Sequence, residues 1–573
     1  MLVPTPDQLE AIVGANETDK RVRIGASPMA ANASIMVDPN KLFGRHLAVL
    51  GNTGSGKSCS VAGIIRWSIE ASQKKIELSG RQGEPNARFI VLDPNGEYSR
   101  AFSDFDDRLR IFRVPPVNGI ERPLDVPAWL WNGHEWTAVA HAQPGAQRPL
   151  LLQGLRELKS GHTENVPRAA ILRRYLMSYT TRINAMLNLG TQAFAGSVPA
   201  RFACAGLLQS IAADVSTFAD PTALDAPIVT SLTEIGTAIT ATVDARRSGP
   251  NYFNDFRVSD LESTRDGLNK LAQTLPDINI QAPINEDAPL HFDVNLLAEH
   301  LERIATQQGG NLAGFISTLG LRIRGMLADQ RLGSVIGREP PITFEDWLKD
   351  YIGADGAANG AISVVDLSLV PSEIVHVVVA VLARLIFESL QRYRRNNPDG
   401  KALPTVLVLE EAHTFVRRGG QDESMEVLSA ARLCRETFER IAREGRKFGL
   451  GLVLSSQRPS ELSPTVLAQC NTFLLHRIVN DSDQNLVSRL VPDNVGALLK
   501  ELPSLPSRQA ILLGWATPIP VLVEIDELPE SQRPHSADPD FWEVWTLAEE
   551  RAIDWATIAA DWSRTPDANG NGQ

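Results

Sequence analysis

Leu47-Ala-Val-Leu-Gly-Asn-Thr-Gly-Ser-Gly-Lys-Ser58 decides the fold of this chain. The apolar run Leu47 to Leu50 supplies a strand, and Gly51 to Ser58 is a complete G-x-x-x-x-G-K-[ST] phosphate loop. Its glycines let the backbone wrap a phosphate with N–H groups pointing inward. A helix starting near Lys57 adds the positive end of its dipole, and amphipathic Val61-Ala-Gly-Ile-Ile-Arg66 continues that helix. Gly51, Asn52, Thr53, Gly54, Ser55, Gly56, Lys57 and Ser58, with Cys59 directly after, are therefore candidate contacts for ATP. Lys57 is expected to reach the β and γ phosphates, and the Ser58 hydroxyl to hold Mg²⁺.

Outward from the loop the pattern is α/β. A helix to about Ala71 and a polar, Gly-rich loop lead to Arg88-Phe-Ile-Val-Leu-Asp93, whose unbroken apolar character predicts a buried central strand of a parallel sheet. Asp93-Pro-Asn-Gly-Glu97 then reads as a turn at the strand's carboxyl end, where doubly wound sheets place their ligands. The same alternation returns with Ile362 to Asp366, a helix Glu373 to Arg394, Val406 to Leu409, and a helix to about Phe448. Leu450 to Ser455 and Thr472 to His476 complete it. Strands spaced by helices predict a mostly parallel sheet with helices on both faces.

Between these halves the periodicity changes. Ile171, Leu172, Tyr175, Leu176, Tyr179, Ile183 and Leu187 recur at three or four residues, as do Ile228, Leu232, Ile235, Ile239 and Val243. Leu312 to Leu327 also reads as helical. The expected organisation is a short β-rich, truncated barrel-like segment over 1–44 and the core's first part over 45–118. A helical insertion over 119–344, the core's second part over 345–530 and a tail over 531–573 follow. Arg21 to Ile24 and Ser34 to Val37 are too little β structure for a closed barrel. Trp542, Trp545 and Trp555 fall on expected tail helices, and Thr565 to Gln573 is polar enough to be disordered.

A length of 573 residues is too great for one hydrophobic core. No apolar run approaches the roughly 18 residues a membrane span needs; Ile374 to Phe387 is broken by His376 and Arg384. Met1 to Lys20 carries no secretion signal, and Cys59, Cys204, Cys434 and Cys470 form no C-x-x-C pair, so a cytoplasmic protein without disulfides or a zinc site is expected. A net charge of −12 argues against a surface coated for nucleic acid. It leaves room for a basic channel, because counterion release depends on the few cations touching phosphates.

The second half carries more chemistry. The strand ending in Leu409 runs into Glu410-Glu411-Ala412-His413. Opposite a phosphate loop, one carboxylate serves the Mg²⁺ shell and the next orients or deprotonates water, which by order assigns Glu410 and Glu411. The alternative is that both merely favour a helix N-terminus. Gln457, after Leu452-Val-Leu-Ser-Ser456, is placed to touch the γ-phosphate or the attacking water. Arg440, Arg443, Arg446 and Lys447 form either a solvated basic face or the source of an arginine finger for a neighbouring subunit. Arg417 and Arg418, in the Gly-rich loop after the acids, are candidate DNA contacts or simply an exposed pair. His413 is expected to pack or hydrogen-bond in the core, Asp366 to support the site or cap a helix, and Cys434 and Cys470 to be small buried hydrophobes.

Lys41 to Ser58, Asp93-Pro-Asn-Gly-Glu-Tyr98, Glu410-Glu-Ala-His413, Arg443-Glu-Gly-Arg-Lys-Phe-Gly449 and Ser455-Ser-Gln-Arg-Pro459 together resemble the HerA family of hexameric translocases, relatives of FtsK. The resemblance implies a RecA-like P-loop ATPase core with a helical insertion, a homohexamer, and ATP hydrolysed between subunits as double-stranded DNA is driven through the pore. It makes Lys57 and Ser58 the phosphate and Mg²⁺ ligands, Glu411 the catalytic base, Gln457 the γ-phosphate sensor and Arg446 the trans-acting finger. Two features depart from the family. Its usual Asp is Glu410 here, one methylene longer, so Mg²⁺ held through water or more weakly, with slow hydrolysis, is expected. The N-terminal barrel is also shortened, which shifts the expected partner from a NurA-like nuclease in DNA end processing toward a nuclease or sirtuin-like NADase effector in antiphage defence. The competing function is an ATP-gated ring scaffold that activates such an effector without obligatory translocation.

Overall fold

The computed structural model describes residues 21–30, 32–116, 121–160, 168–219, 221, 224–249, 252–276, 285–308, 312–337, 342–397, 399–419, 429–490, 496–535, 541–548 and 551–563. The chain divides into two compact units, one of Met1–Leu155 with Glu286–Gln573 and one of Arg156–Asn285. Both boundaries of the second unit fall inside the stretch expected as a helical insertion.

The first unit is built on one twelve-stranded sheet. Its strands are β1 (Val22–Ser27), β2 (Ala33–Val37), β3 (Leu47–Leu50), β4 (Phe89–Asp93), β5 (Leu109–Arg113) and β6 (Arg122–Pro123). The second unit holds a small hairpin, β7 (Arg247–Gly249) and β8 (Tyr252–Phe253). The sheet resumes with β9 (Ile362–Asp366), β10 (Thr405–Leu409), β11 (Leu450–Ser456), β12 (Thr472–Leu475), β13 (Gln509–Gly514) and β14 (Val521–Ile525). Spatial order is β2-β1-β14-β13-β12-β3-β11-β10-β4-β9-β5-β6. From β12 through β6 every pairing is parallel, as the βαβ alternation predicts. β3, β4, β9, β10, β11 and β12 are buried at every residue, which is why they read as apolar runs.

Two elements differ from the sequence reading. The helix after the phosphate loop runs Lys57–Leu78, a turn or more beyond Ala71. Its last turns are mostly polar and carry no buried residue, so good helix formers continue after the buried stripe has ended. The N-terminal runs are also not separate: β1 pairs antiparallel with β14 and β2, and β14 with β13, so they extend the main sheet. Ile24, Ile35 and Val37 join Leu47, Val49, Val408 and Val453 in one core.

The second unit packs helices Arg168–Asn188, Val198–Phe218, Ala226–Arg246 and Val258–Thr274 around its own core, which includes Leu176, Ile183, Leu208, Leu232, Ile239, Leu261 and Leu268. Ser197 caps Val198–Phe218 by accepting from Ala200 N–H, and Pro199 at its first turn fits there because its missing N–H would be unpaired anyway. Among the described residues no helix is long and apolar enough to cross a membrane. Thr565 to Gln573 lie outside the described residues.

Candidate nucleotide site

The parallel strands β3, β4, β9, β10 and β11 all end on one side of the sheet. Gly51, Asp93, Asp366, Glu410 and Gln457 therefore meet there although they are spread over four hundred residues of chain. The loop leaves β3 with Gly51 N–H donating to Ser456 O at 3.2 Å and Asn52 N–H to Arg477 O at 2.8 Å. Gly54 and Gly56 take φ of 70° and 98°, backbone that only glycine adopts without strain. The helix begins at once with Lys57, so its unpaired N–H groups face the loop.

Lys57 is 6% exposed, its Nζ donating to Asn52 O at 3.0 Å. Burial holds its pKa below the usual lysine value, and the charges of Glu410, Glu411 and Glu97 act the other way. Ser58 Oγ donates to Glu410 Oε1 at 3.1 Å. Glu410 is 1% exposed and accepts two further hydroxyls, Ser455 Oγ on Oε1 at 3.0 Å and Tyr98 Oη on Oε2 at 2.8 Å. Burial pushes its pKa up to about 7, against the pull of the hydroxyl donors and Lys57, while neighbouring Glu411 adds to the rise.

Glu411 occupies the left-handed region at φ 43°, ψ 49°. Its Oε2 is buried and, among the described residues, accepts no aligned hydrogen bond, with His413 Nδ1 3.2 Å away. His413 is thus a partly buried neighbour of Glu411 and of Ser456 Oγ rather than a core residue. Gln457 Oε1 accepts from Thr53 Oγ1 of the phosphate loop, which brings the end of β11 onto the loop itself.

Not every expected residue is here. Arg446 lies in the turn Gly445–Phe448 before β11, exposed, at the amino end of the strand whose carboxyl end carries Gln457. Seven strand residues at about 3.3 Å each put roughly 20 Å between them. Arg417 and Arg418 are exposed, and Glu461 engages both: its Oε2 lies 3.7 Å from Arg417 Nε, and its carbonyl accepts Arg418 N–H at 2.7 Å. Residues 420–428 of the following loop lie outside the described residues. Asp366 caps its own turn, accepting Ser368 N–H and Oγ, with Arg113 Nη2 3.5 Å away. Cys59 is partly buried, and Cys434 and Cys470 are buried.

Four contributors escaped the sequence reading. Tyr98 and Ser455 hold Glu410, as above. Ser507 Oγ donates to Gly54 O at 3.0 Å and Arg508 N–H to Ser55 O at 3.2 Å, so the entry to β13 rests on the phosphate loop. Tyr98 and Ser455 had a signal available, since each stands in a motif that was visible without a role for it.

A parallel sheet carrying a phosphate loop, with two acids on the strand one place removed, defines a RecA-like P-loop ATPase fold. Residues 22–197 match the family described as Helicase HerA, central domain. Probable helicase MJ1565 of Methanocaldococcus jannaschii is 29% identical over 525 residues, covering 91% of this chain and 70% of its own length. Probable helicase MJECL08 of the same organism is 40% identical over 156 residues, 27% of this chain and 28% of its own. The DNA double-strand break repair helicase HerA of Sulfolobus acidocaldarius is 31% identical over 204 residues, 35% of this chain and 38% of its own. The matched part is about a third of the length of the first curated relatives. Over these stretches the chain is similar to HerA helicases.

Proposed function

We propose that this chain is the ATP-hydrolysing subunit of a homohexameric motor that translocates double-stranded DNA in the cytoplasm. One juxtaposition supports this most: Ser58 of the phosphate loop and buried Glu410 at the end of β10, 3.1 Å apart, with Glu411 next in the chain. Residues 45–118 and 345–530 form the motor core in this reading, with 119–344 as insertion.

Ser58 Oγ and a Glu410 oxygen are hard donors, and two of them suit Mg²⁺, which otherwise keeps waters and takes substrate phosphates. When bound, that ion withdraws charge from the β and γ phosphates. Lys57 releases Asn52 O and neutralises the same phosphates. Glu411 accepts a proton from the attacking water on its carboxylate, whose Oε2 lacks an aligned partner among the described residues. Gln457 orients that water or the γ-phosphate. Arg446, too distant from its own site, serves the neighbouring subunit's. Arg417 and Arg418 face the DNA in the pore.

The names of relatives as DNA double-strand break repair helicases support a role in DNA end processing, and a NurA-like nuclease is the partner proposed for that role. A nuclease or sirtuin-like NADase effector in antiphage defence is the other partner this reading admits. ATP hydrolysis measured with and without duplex over a salt series tests the motor. Duplex should stimulate it with a steep salt dependence, and Lys57→Ala or Glu411→Ala should abolish it. Equal hydrolysis with and without duplex at low salt overturns the reading.

A further inference from the structure

Asp93 to Tyr98 is wound tightly by its first side chain. Asp93 Oδ1 accepts N–H of Asn95 at 3.2 Å and of Gly96 at 3.0 Å, while Oδ2 accepts N–H of Tyr98 at 2.8 Å. Asp93 is fully buried, so this turn is fixed to the end of β4. Gly96 takes φ 73°, and a Cβ there would stand 3.1 Å from Asp366 Oδ2. The turn delivers Tyr98, also fully buried, with its ring beside Phe102 and its hydroxyl 2.8 Å from Glu410 Oε2 and 3.3 Å from Ser58 O. A phenol has one proton to donate, and the shorter contact is to the carboxylate.

The two oxygens of Glu410 are thereby made unequal. Oε2 is engaged by Tyr98, whereas Oε1 faces Ser58 Oγ and Ser455 Oγ. A glutamate has one more rotatable bond than an aspartate, so an unheld carboxylate at this position would sample several orientations. Resting on the reading of Ser58 and Glu410 as the metal-holding pair, we infer that Tyr98 is a positioning residue: its hydroxyl pins one oxygen of Glu410 and presents the other, beside Ser58, to the divalent cation. Asp93 acts one step further back by fixing the turn that carries Tyr98. Hydrogen-bond partners of metal-ligating side chains commonly affect metal affinity by about 10- to 100-fold when removed.

Mn²⁺ serves as the probe, its binding to the full chain followed by electron paramagnetic resonance in the presence of a saturating non-hydrolysable ATP analogue. Tyr98→Phe keeps the ring and removes the hydroxyl; it should weaken Mn²⁺ about tenfold or more, with metal-free analogue affinity and melting temperature held. Glu410→Ala should weaken Mn²⁺ at least as far, and adding Tyr98→Phe to it should change nothing more. Wild-type Mn²⁺ affinity in Tyr98→Phe, with loss in Glu410→Ala, overturns the positioning role and leaves the metal pair standing. Wild-type affinity in Glu410→Ala overturns the metal pair itself. A further loss in the double variant would mean Tyr98 acts elsewhere and also overturns the inference. Asp93→Asn, which keeps the hydroxyl and slackens the turn, should shift Mn²⁺ affinity in the same direction, and unchanged affinity there counts against it even where Tyr98→Phe folds poorly.

Discussion

Glu411 is a non-glycine residue held at φ 43°, a conformation that costs about 1 kcal/mol or more. Strain of that size at the end of a central strand is retained where the side chain has a task. Glu411→Gly should therefore be more heat-stable than Glu411→Ala, by about 1 kcal/mol from relief of the left-handed strain, while both lose turnover at least a hundredfold. Thermal unfolding and steady-state ATP hydrolysis read the two effects separately. Asp93 gives a pH test at the same scale. Burial, opposed by its backbone hydrogen bonds and assisted by Asp366 and Glu97, raises its pKa from 3.8 to about 6. An acid whose folded pKa is raised costs stability where it is charged. That cost is full above about pH 6 and fades as pH falls toward 4, amounting to about 3 kcal/mol at the high-pH limit. Compared with Asp93→Asn, the natural chain should accordingly gain melting temperature between pH 7 and pH 5. An unchanged gap between the two proteins over that range would show that Asp93 keeps its ordinary titration.

At the level of elements, the helix Ser372–Asn396 shows where a sequence misleads and where it informs. Its interruption by Arg384 rules out a membrane reading, yet that arginine is only 8% exposed. It donates from Nε and Nη2 to the two oxygens of Glu135, at 2.6 and 2.9 Å, and Glu135 caps the helix Gly133–Val139. Burial works against the guanidinium charge, and Glu135 more than offsets it. Arg384→Met should destabilise by about 3–5 kcal/mol because Glu135 is left buried and unpaired, and Glu135→Leu in the same chain should recover most of that; melting curves of the single and double variants decide it. β5 was illegible for a related reason. Leu-Arg-Ile-Phe-Arg contains Arg110, 2% exposed, whose guanidinium is satisfied by the carbonyls of Asp350, Asn359 and Gly360 and by Ser363 Oγ. A charge that finds all its partners far along the chain defeats any reading by hydrophobicity. Apolar β3, β4, β9 and β10 were plain in sequence, as was the pairing of phosphate loop with two acids. The antiparallel joining of β1 to β14 and the reach of Tyr98 to Glu410 were not, since both depend on contacts across hundreds of residues that no spacing encodes.

For the whole molecule, the decisive geometry is that β11 separates Arg446 from Gln457 along its length. One protomer's guanidinium sits at the amino end of the sheet and its phosphate loop at the carboxyl end. His46 stiffens the amino end: its Nδ1 accepts Leu452 N–H at 2.9 Å and its Nε2 meets Ala442 O at 3.0 Å, tying the start of β3 to the helix that leads to Arg446. A rigidly mounted arginine that cannot reach its own nucleotide is suited to act in trans within the proposed ring, where such a finger contributes about 10³ to 10⁵ in rate. Lys57→Ala destroys a protomer's own pocket and leaves its Arg446 intact, whereas Arg446→Ala does the reverse. Each alone should be nearly inactive. Mixed in equal amounts under conditions where subunits exchange, they form interfaces pairing an intact pocket with an intact finger, and ATP hydrolysis should return to a quarter or so of the natural rate, the statistical share of such interfaces, provided exchange is complete. If the mixture stays as inactive as its components although exchange is demonstrated with labelled subunits, Arg446 does not complete a neighbour's site. Glu411→Gln, expected to bind ATP without turning it over, then separates the two kinds of ring: an effector still activated by it answers to bound nucleotide, and one left silent requires a working motor.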